Sequence, residues 1–159
     1  MGEEVRQITI TLPDGNTLEA PSGSTVGDVA AKLGARLAKK AVAGKICDAL
    51  CDLTTPLTED GAVTIVTEDD PEGLETIRHT ASHVMAQAVI ELFPGAKPTI
   101  GPAIADGFYY DFDVEEPFSQ DDLATIEARM EEIVQRDLPI RRRELPNVST
   151  RRVDSRSCD

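Results

Sequence analysis

Two histidines, His79 and His83, are the only histidines in this 159-residue chain, and they lie four residues apart. Residues at this spacing stand one turn above each other on the same face of an α-helix. Both imidazoles could therefore reach one substrate, one water molecule or one metal ion, and histidine can activate a water near neutral pH. A histidine pair at this spacing also occurs by chance, as hydrogen-bonded structural residues.

The segment that carries the pair is predicted to be a helix over about residues 74–92, stopped by Phe93-Pro94-Gly95. Its apolar stripe recurs at helical spacing on the side away from the histidines. Ala86 and Ile90 lie nearly in line with the two histidines, which predicts that this side lines a cleft instead of facing water. The members of the apolar stripe are Leu74, Ile77, Ala81, Val84, Met85, Ala88 and Leu92.

A β-hairpin is predicted directly after this helix, where it could cover the histidine face. Residues 99–105 read as an apolar strand interrupted by Gly101-Pro102, and Asp106-Gly107 supplies a turn into residues 108–113. Phe108, Tyr109 and Phe112 are predicted to be core residues.

A second helix is predicted from Ser119 to about Arg136, with Asp122 in the third position of a capping box. Residues 138–145 are predicted to form an exposed strand. Its Arg141-Arg142-Arg143 could contact tRNA phosphates, although an ordinary polar strand edge is the favoured interpretation. Residues 147–159 are rich in serine and arginine and are predicted to be disordered. In the helix predicted from Ser119 to about Arg136, the buried stripe is predicted to consist of Leu123, Ile126, Met130 and Ile133.

The first 67 residues contain a separate set of elements. Alternating apolar residues from Val5 to Leu12 and the turn Pro13-Asp14-Gly15 predict a hairpin that returns over residues 16–20. Ser24 or Thr25 can cap a helix over residues 26–37. Two further strands are predicted at residues 41–46 and 62–66. The helix presents one apolar face, formed by Val26, Val29, Ala30, Leu33 and Leu37.

This order of a hairpin, a helix and two strands is that of a ubiquitin-like β-grasp. Residues 5–67 resemble the TGS domain found at the front of threonyl-tRNA synthetases and in some GTPases and stress-signalling synthetases. The resemblance rests on Leu12-Pro13-Asp14-Gly15, Ser24-Thr25-Val26 and Ala41-Val42-Ala43-Gly44-Lys45-Ile46.

The histidine-bearing segment resembles the editing domain that follows the TGS domain in threonyl-tRNA synthetases. In that family the domain hydrolyses seryl-tRNA wrongly made on threonine tRNA, because a binding pocket alone rejects a side chain lacking one methyl group only weakly. The resemblance implies that His79 and His83 surround the attacking water and terminal ribose, and that the Gly101 backbone and Tyr110 shape the pocket. The matching strings are His79-Thr80-Ala81-Ser82-His83, Ile100-Gly101-Pro102 and Asp106-Gly107-Phe108-Tyr109-Tyr110-Asp111.

The sequence lacks several features of the full-length family. A full editing domain of this kind also supplies a Cys-x-x-x-His pair, and this sequence contains none. Class II ATP-binding segments and an anticodon-binding module are likewise missing, so we expect a fragment with an incomplete editing site that cannot charge tRNA alone. No cofactor or metal is expected here, since the ATP, magnesium and zinc of the full-length family belong to the absent catalytic domain.

These observations divide the chain into four parts with an α+β fold class. A TGS β-grasp domain is predicted at residues 1–67, an acidic linker at residues 68–73, a partial α+β editing domain at residues 74–146, and a disordered tail at residues 147–159.

Composition and charge indicate which kinds of binding partner this chain is expected to have. With 40% hydrophobic and 28% charged residues, most of the chain should fold. Residues 68–137 carry 4 basic and 17 acidic groups, a local net of −13, which disfavours tight unaided binding to phosphates. We expect weak tRNA binding, with the rest of a synthetase or a second copy as possible partners. No signal peptide or apolar span of membrane length is found, which predicts a cytoplasmic protein without a membrane partner.

Two alternatives remain open. The chain could be a stand-alone TGS-type regulatory module that binds RNA or a ribosome without catalysis. It could also hold zinc, if Cys47 and Cys51 completed a site with the two histidines. The three cysteines are an odd number, which favours free thiols over a disulfide framework.

Overall fold

A computed structural model of the chain describes residues 6–139. The arginine triplet, the predicted tail and most of the strand predicted at residues 138–145 lie outside this range. Within it, no helix combines the length and the apolar character needed to cross a bilayer.

The first half of the described chain is a five-stranded mixed sheet with helices packed on it. The strand order is β2-β1-β5-β3-β4, with β1 parallel to β5 and the other neighbours antiparallel. This is the predicted β-grasp arrangement, and it confirms the α+β fold class. The elements are β1 (Gln7–Thr11), β2 (Thr17–Pro21), α1 (Val26–Leu33), α2 (Ala35–Lys40), β3 (Ala41–Ile46), β4 (Ala49–Cys51) and β5 (Gly61–Thr67).

The core of this half lies between the sheet and α1. Ile8 and Ile10 point from β1 to the same side, and Val26 and Val29 meet them from α1, all fully buried. Thr25 begins the helix through a capping box in which its side chain accepts from the Asp28 N–H. The predicted start of the helix is therefore confirmed, and so are the Val26, Val29 and Ala30 positions of its inner face.

The single helix predicted over residues 26–37 is wrong in its extent. The chain forms two helices separated by Gly34, whose φ of +154° lies in a region that favours glycine. Leu33, expected on the buried face, is consequently exposed at the break. The sequence analysis also missed β4, a three-residue strand too short to show an alternating pattern.

The second half contains two helices joined by a long hairpin. β6 pairs with β9 and β7 with β8, so these four short strands are the two arms of one interrupted hairpin, as predicted. The elements are α3 (Pro71–Leu92), β6 (Lys97–Pro98), β7 (Ala103–Ile104), β8 (Gly107–Phe108), β9 (Phe112–Asp113) and α4 (Gln120–Gln135).

The core of the second half is formed where α4 packs against the C-terminal part of α3. Ala88 and Val89 are buried there against Ile126 and Ile133. The Glu91 carboxylate at the end of α3 accepts hydrogen bonds from the Arg136 guanidinium at 3.3 and 3.4 Å. The two helices are thus joined by an apolar contact, and the hydrogen bonds between Arg136 and Glu91 lie beside it.

Several residues predicted to be buried in this half are exposed. Leu74 and Ile77 lie in the N-terminal part of α3, away from the contact with α4. Leu123 is 51% exposed, and Tyr109, which follows β8, is 49% exposed.

The two halves meet where β5 leads directly into α3. The helix begins at Pro71, three residues before the predicted start, so only residues 68–70 connect the elements. The Asp70 carboxylate accepts hydrogen bonds from the N–H and hydroxyl of Thr67 at 2.7 Å, which lowers the pKa of Asp70. Lys45 of β3 forms an ion pair with Glu72 in the first turn of α3.

Candidate functional site

The histidine pair lies on α3 as the spacing predicts. The Nε2 atoms of His79 and His83 are 3.1 Å apart, within hydrogen-bond distance, so one ring donates and the other accepts. The ring centroids are 4.6 Å apart with planes at 80°, an edge-to-face arrangement. Both side chains are exposed. The helix therefore presents two converging ring nitrogens to solvent.

Gly101 lies at the interruption of the hairpin beside α3. The ladder continues on one side through the Asp111 N–H, which donates to the Ile100 carbonyl at 2.8 Å, and resumes on the other where Ala103 pairs with Phe108. Pro102 has no N–H to donate. The interruption leaves the Gly101 carbonyl available to a group outside the hairpin.

Ser82 of α3 supplies that group. Its side chain is fully buried, and its hydroxyl lies 2.7 Å from the His79 carbonyl oxygen and 3.3 Å from the Gly101 carbonyl oxygen. The hairpin is thus hydrogen-bonded to the same helical turn that carries the histidines. Sequence reasoning did not single out Ser82, although a polar residue inside the matching string was an available signal.

Tyr110 packs on Gly101 from the opposite arm of the hairpin. A Cβ placed on Gly101 would lie 2.0 Å from the Tyr110 ring, a distance that no folded structure tolerates. The ring also stacks on Phe112, with centroids 5.0 Å apart, and Phe112 packs against the core of the second half. Only glycine therefore fits at this point without moving Tyr110.

The structure brings the four predicted site residues together as two pairs linked through Ser82. His79 and His83 contact each other, and Gly101 contacts Tyr110. The hairpin meets α3 at Ser82 and leaves both imidazoles exposed, so in the described residues it packs beside the rings and does not cover them. Ala86, expected on the histidine side, is buried, whereas Ile90 is exposed.

The zinc site considered from the sequence is not assembled. Among residues 6–139, no three or more histidine, cysteine, aspartate or glutamate side chains are grouped so as to hold a metal ion. Cys47 is exposed at the turn between β3 and β4, and Cys51 is half-buried in β4, where burial raises its pKa. The two cysteines belong to the β-grasp half and do not complete the histidine pair.

Comparisons with known proteins identify one domain and a set of longer relatives. Residues 8–67 match the TGS domain family. The chain is 57% identical over 141 residues to a threonine–tRNA ligase of Geobacter sp. (strain M21), covering 89% of this chain and 22% of that relative. It is 56% identical over 137 residues to the enzyme of Phenylobacterium zucineum, covering 86% of this chain and 21% of that relative.

A relative with lower sequence identity is also a threonine–tRNA ligase. The threonine–tRNA ligase of Rubrobacter xylanophilus is 48% identical over 145 residues, which cover 91% of this chain and 23% of the relative. The chain therefore spans about a fifth of the length of the curated relatives it matches. In sequence it corresponds to the N-terminal region of threonine–tRNA ligases, with a TGS domain at residues 8–67.

Proposed function

We propose that this chain supplies the first half of a hydrolytic editing site, at which seryl-tRNA wrongly made on threonine tRNA is cleaved. The observation that carries the proposal is the pair of imidazoles on α3, whose Nε2 atoms converge to 3.1 Å. In this reading His79 and His83 are the catalytic residues, and the Gly101 backbone and Tyr110 bound the substrate.

The chemistry assigned to the pair is ester hydrolysis. A water oxygen attacks the carbonyl carbon of the aminoacyl ester, and the bond from that carbon to the ribose oxygen breaks. A neutral imidazole accepts the proton of the water, and the leaving ribose oxygen gains a proton. To be held by both nitrogens, such a water must displace the direct contact between them, and one nitrogen then accepts from the water while the other donates to it.

The Ser82 contact supports a role for Gly101 in the same site. It ties the Gly101 carbonyl to the helical turn between the two histidines, so the backbone of the hairpin cannot move far from the rings. Hydrolytic sites need such fixed placement, since small displacements of a bound group cost large factors in rate.

We propose further that this half-site does not turn over by itself. The sequence contains only these two histidines and no Cys-x-x-x-His pair that could face them. It also carries no class II ATP-binding segment, so the chain does not aminoacylate tRNA alone.

The test is an NMR titration of the chain with an amide-linked seryl-adenosine analogue, which cannot be hydrolysed. We expect the imidazole resonances of both histidines and the Gly101 amide to shift. In a parallel assay, seryl-tRNA should be hydrolysed no faster than in buffer. Thr80→Ala, on the same helix but outside the pair, should leave the shifts unchanged.

Two outcomes would contradict parts of this proposal. Rapid hydrolysis that disappears in His79→Ala would support the catalytic pair and overturn the claim that the site is incomplete. No response of either imidazole to the analogue would overturn the assignment of the pair itself.

The second candidate is a TGS-type module that associates with RNA without catalysis. The observation favouring it is the complete β-grasp of residues 7–67, matched by the TGS family. Salt-dependent retention of tRNA or ribosomes, with NMR shifts confined to this half, would favour the module. No association at low salt would count against it.

A further inference from the structure

We propose that the exposed cations at the end of α1 and along α2 form a surface that binds the phosphates of an RNA backbone. This basic surface consists of Lys32, Arg36 and Lys39, all three of which are exposed. The inference rests on the second candidate function, association of the β-grasp half with RNA, and it assigns that association to one particular face of the domain.

Positive charge is concentrated in one stretch of a chain whose net charge is −13. Residues 29–47 contain five basic residues and no acidic residue. At physiological ionic strength, exposed charges more than about 8 Å apart are largely screened from each other. The charge close to α2 therefore matters more to a bound phosphate than the charge of the whole chain. The five basic residues are Lys32, Arg36, Lys39, Lys40 and Lys45.

Two of these five cations are neutralised at the junction with α3. Lys40 lies 3.6 Å from the Glu68 carboxylate and 2.5 Å from the Asp69 carboxylate, and Lys45 pairs with Glu72. These contacts hold the acidic start of the second half against its own lysines. The carboxylates at the junction are thus already paired with cations that do not belong to the basic surface.

The three members of the basic surface keep their charge. Among residues 6–139, none of them forms an ion pair with a carboxylate. Lys32 donates one hydrogen bond to the Glu19 carbonyl oxygen at 2.8 Å, and that neutral acceptor leaves the ammonium charge in place. Three exposed cations therefore remain available to an anionic partner.

The stability of α2 does not explain the position of Arg36. Cations stabilise the last turn of a helix and are unfavourable in the first turn, where the helix dipole is positive. Lys39 and Lys40 lie in the last turn, but Arg36 lies in the first turn, which contains no acidic residue. Arg36 and Lys39 are three residues apart, so they share a helix face with their Cβ atoms about 5 to 6 Å apart. Two cations placed side by side in this way can contact neighbouring phosphates of one strand.

The side chains around these cations favour a nucleic acid over an acidic protein. A stable protein interface has aromatic or apolar anchors at its centre and few charges there. Within residues 31–40, Leu33 is the only large apolar side chain that is exposed. Phosphate binding needs no such anchor, because the release of condensed counterions supplies the affinity.

The test is an NMR titration of the chain with a short RNA duplex in a salt series from about 50 to 200 mM. We expect amide shifts at residues 32–40 and weaker binding as salt rises. Arg36→Gln combined with Lys39→Gln should lower the slope of log affinity against log salt by about two, since each phosphate contact contributes about one. Arg6→Gln combined with Lys97→Gln removes as much charge elsewhere and should keep both the slope and the shifts.

The outcomes separate the basic surface from the function on which it rests. If the parent chain does not bind the duplex at low salt, both are wrong. If it binds and the α2 double variant keeps the full slope, or the control variant loses as much, association with RNA stands and the basic surface is wrong.

Two further measurements test the choice of surface and partner. The shifts at residues 32–40 should persist when Arg141, Arg142 and Arg143 are all changed to glutamine. Their disappearance would show that α2 does not bind RNA in its own right and would overturn the proposal. A poly-glutamate peptide of matched charge should bind more weakly than the duplex, and equal affinity would make the partner an acidic protein instead.

Discussion

Gly101 shows how a single missing side chain can fix the position of a whole hairpin. We predict that Gly101→Ala destabilises the chain by about 1 to 3 kcal/mol, because the added Cβ overpacks against Tyr110. Chemical unfolding at neutral pH measures this change. Gly95→Ala is the control, since a Cβ there meets nothing within 4 Å. Equal effects of the two substitutions would show that Tyr110 does not rest on Gly101.

Ser82 is the buried polar residue that joins the helix to the hairpin. We predict that Ser82→Ala costs about 1 to 3 kcal/mol of folding free energy, because it leaves the half-buried Gly101 carbonyl without the Ser82 hydroxyl as its donor. Thr80→Ala removes a similar hydroxyl on the exposed side of α3, where Thr80 donates to the Thr76 carbonyl at 2.9 Å. That control should change the free energy of unfolding by no more than about 0.5 kcal/mol. Similar losses in both variants would contradict the role assigned to Ser82.

The histidine pair itself could be predicted from the sequence, because residues four apart share a helix face whatever surrounds the helix. The way the hairpin meets that helix could not. The sequence suggested a cover over the rings, but the contact is made at Ser82 and depends on the break in the hairpin ladder at Gly101. Tertiary packing determines which side of a helix a hairpin approaches. The spacing of residues along the sequence does not predict that packing.

At the level of elements, the capping box at the start of α4 is expected to make the stability of the fold depend on pH in the acidic range. Asp122 accepts hydrogen bonds from the Ser119 hydroxyl at 2.6 Å and from the Ser119 N–H at 2.8 Å, which lower the pKa of Asp122 below its ordinary value of 3.8. A carboxylate with a lowered folded-state pKa stabilises the fold above its unfolded value, and this stabilisation is lost as the pH falls through the folded-state pKa.

We therefore predict that Asp122→Asn lowers stability at pH 7 and flattens its dependence on pH below about 4, where an unfolded aspartate takes up its proton. Urea unfolding at pH 7, 4 and 3 measures both effects. Asp121→Asn changes the neighbouring carboxylate in the same turn and keeps the capping box. If Asp121→Asn flattens the pH dependence of stability equally, the loss of a negative charge explains the change and the capping box does not.

The elements with clear sequence signals were predicted well. The capping box of α4 and the turn Pro13-Asp14-Gly15 are formed. The turn of the later hairpin is Ala105-Asp106, one residue before the predicted Asp106-Gly107, because Gly107 already pairs with Ile104. The helix break at Gly34 was missed because the apolar spacing continues across it as far as Leu37. Periodicity reports which face is apolar, and it does not report a change in backbone direction.

At the scale of the whole molecule, the two halves differ in charge but are connected by ion pairs at their junction. The acidic groups are concentrated in residues 68–137, but ion pairs cross the junction between the halves. Lys40 at the end of α2 lies 2.5 Å from the Asp69 carboxylate, and this hydrogen bond raises the pKa of Lys40. Such exposed pairs contribute little each, so close packing at the junction matters more for holding the halves together.

Gly73 provides that packing and the sharpest test of the junction. A Cβ placed on Gly73 would lie 1.9 Å from the Thr67 carbonyl oxygen and 3.0 Å from the Val42 side chain. Because the nearest atom belongs to the backbone of β5, the clash cannot be relieved by rotating a side chain. We predict that Gly73→Ala destabilises the chain by at least about 2 kcal/mol and speeds proteolysis around residues 68–73.

The matched variant is Lys45→Met, which removes the ion pair with Glu72 while keeping most of the side-chain length. It should lower the free energy of unfolding far less than Gly73→Ala does, because exposed ion pairs contribute little. Thermal unfolding separates the two explanations of the junction. If Lys45→Met proves as damaging as Gly73→Ala, charge rather than close backbone contact holds α3 to the sheet, and the start of the histidine-bearing helix is then fixed by electrostatics that salt should weaken.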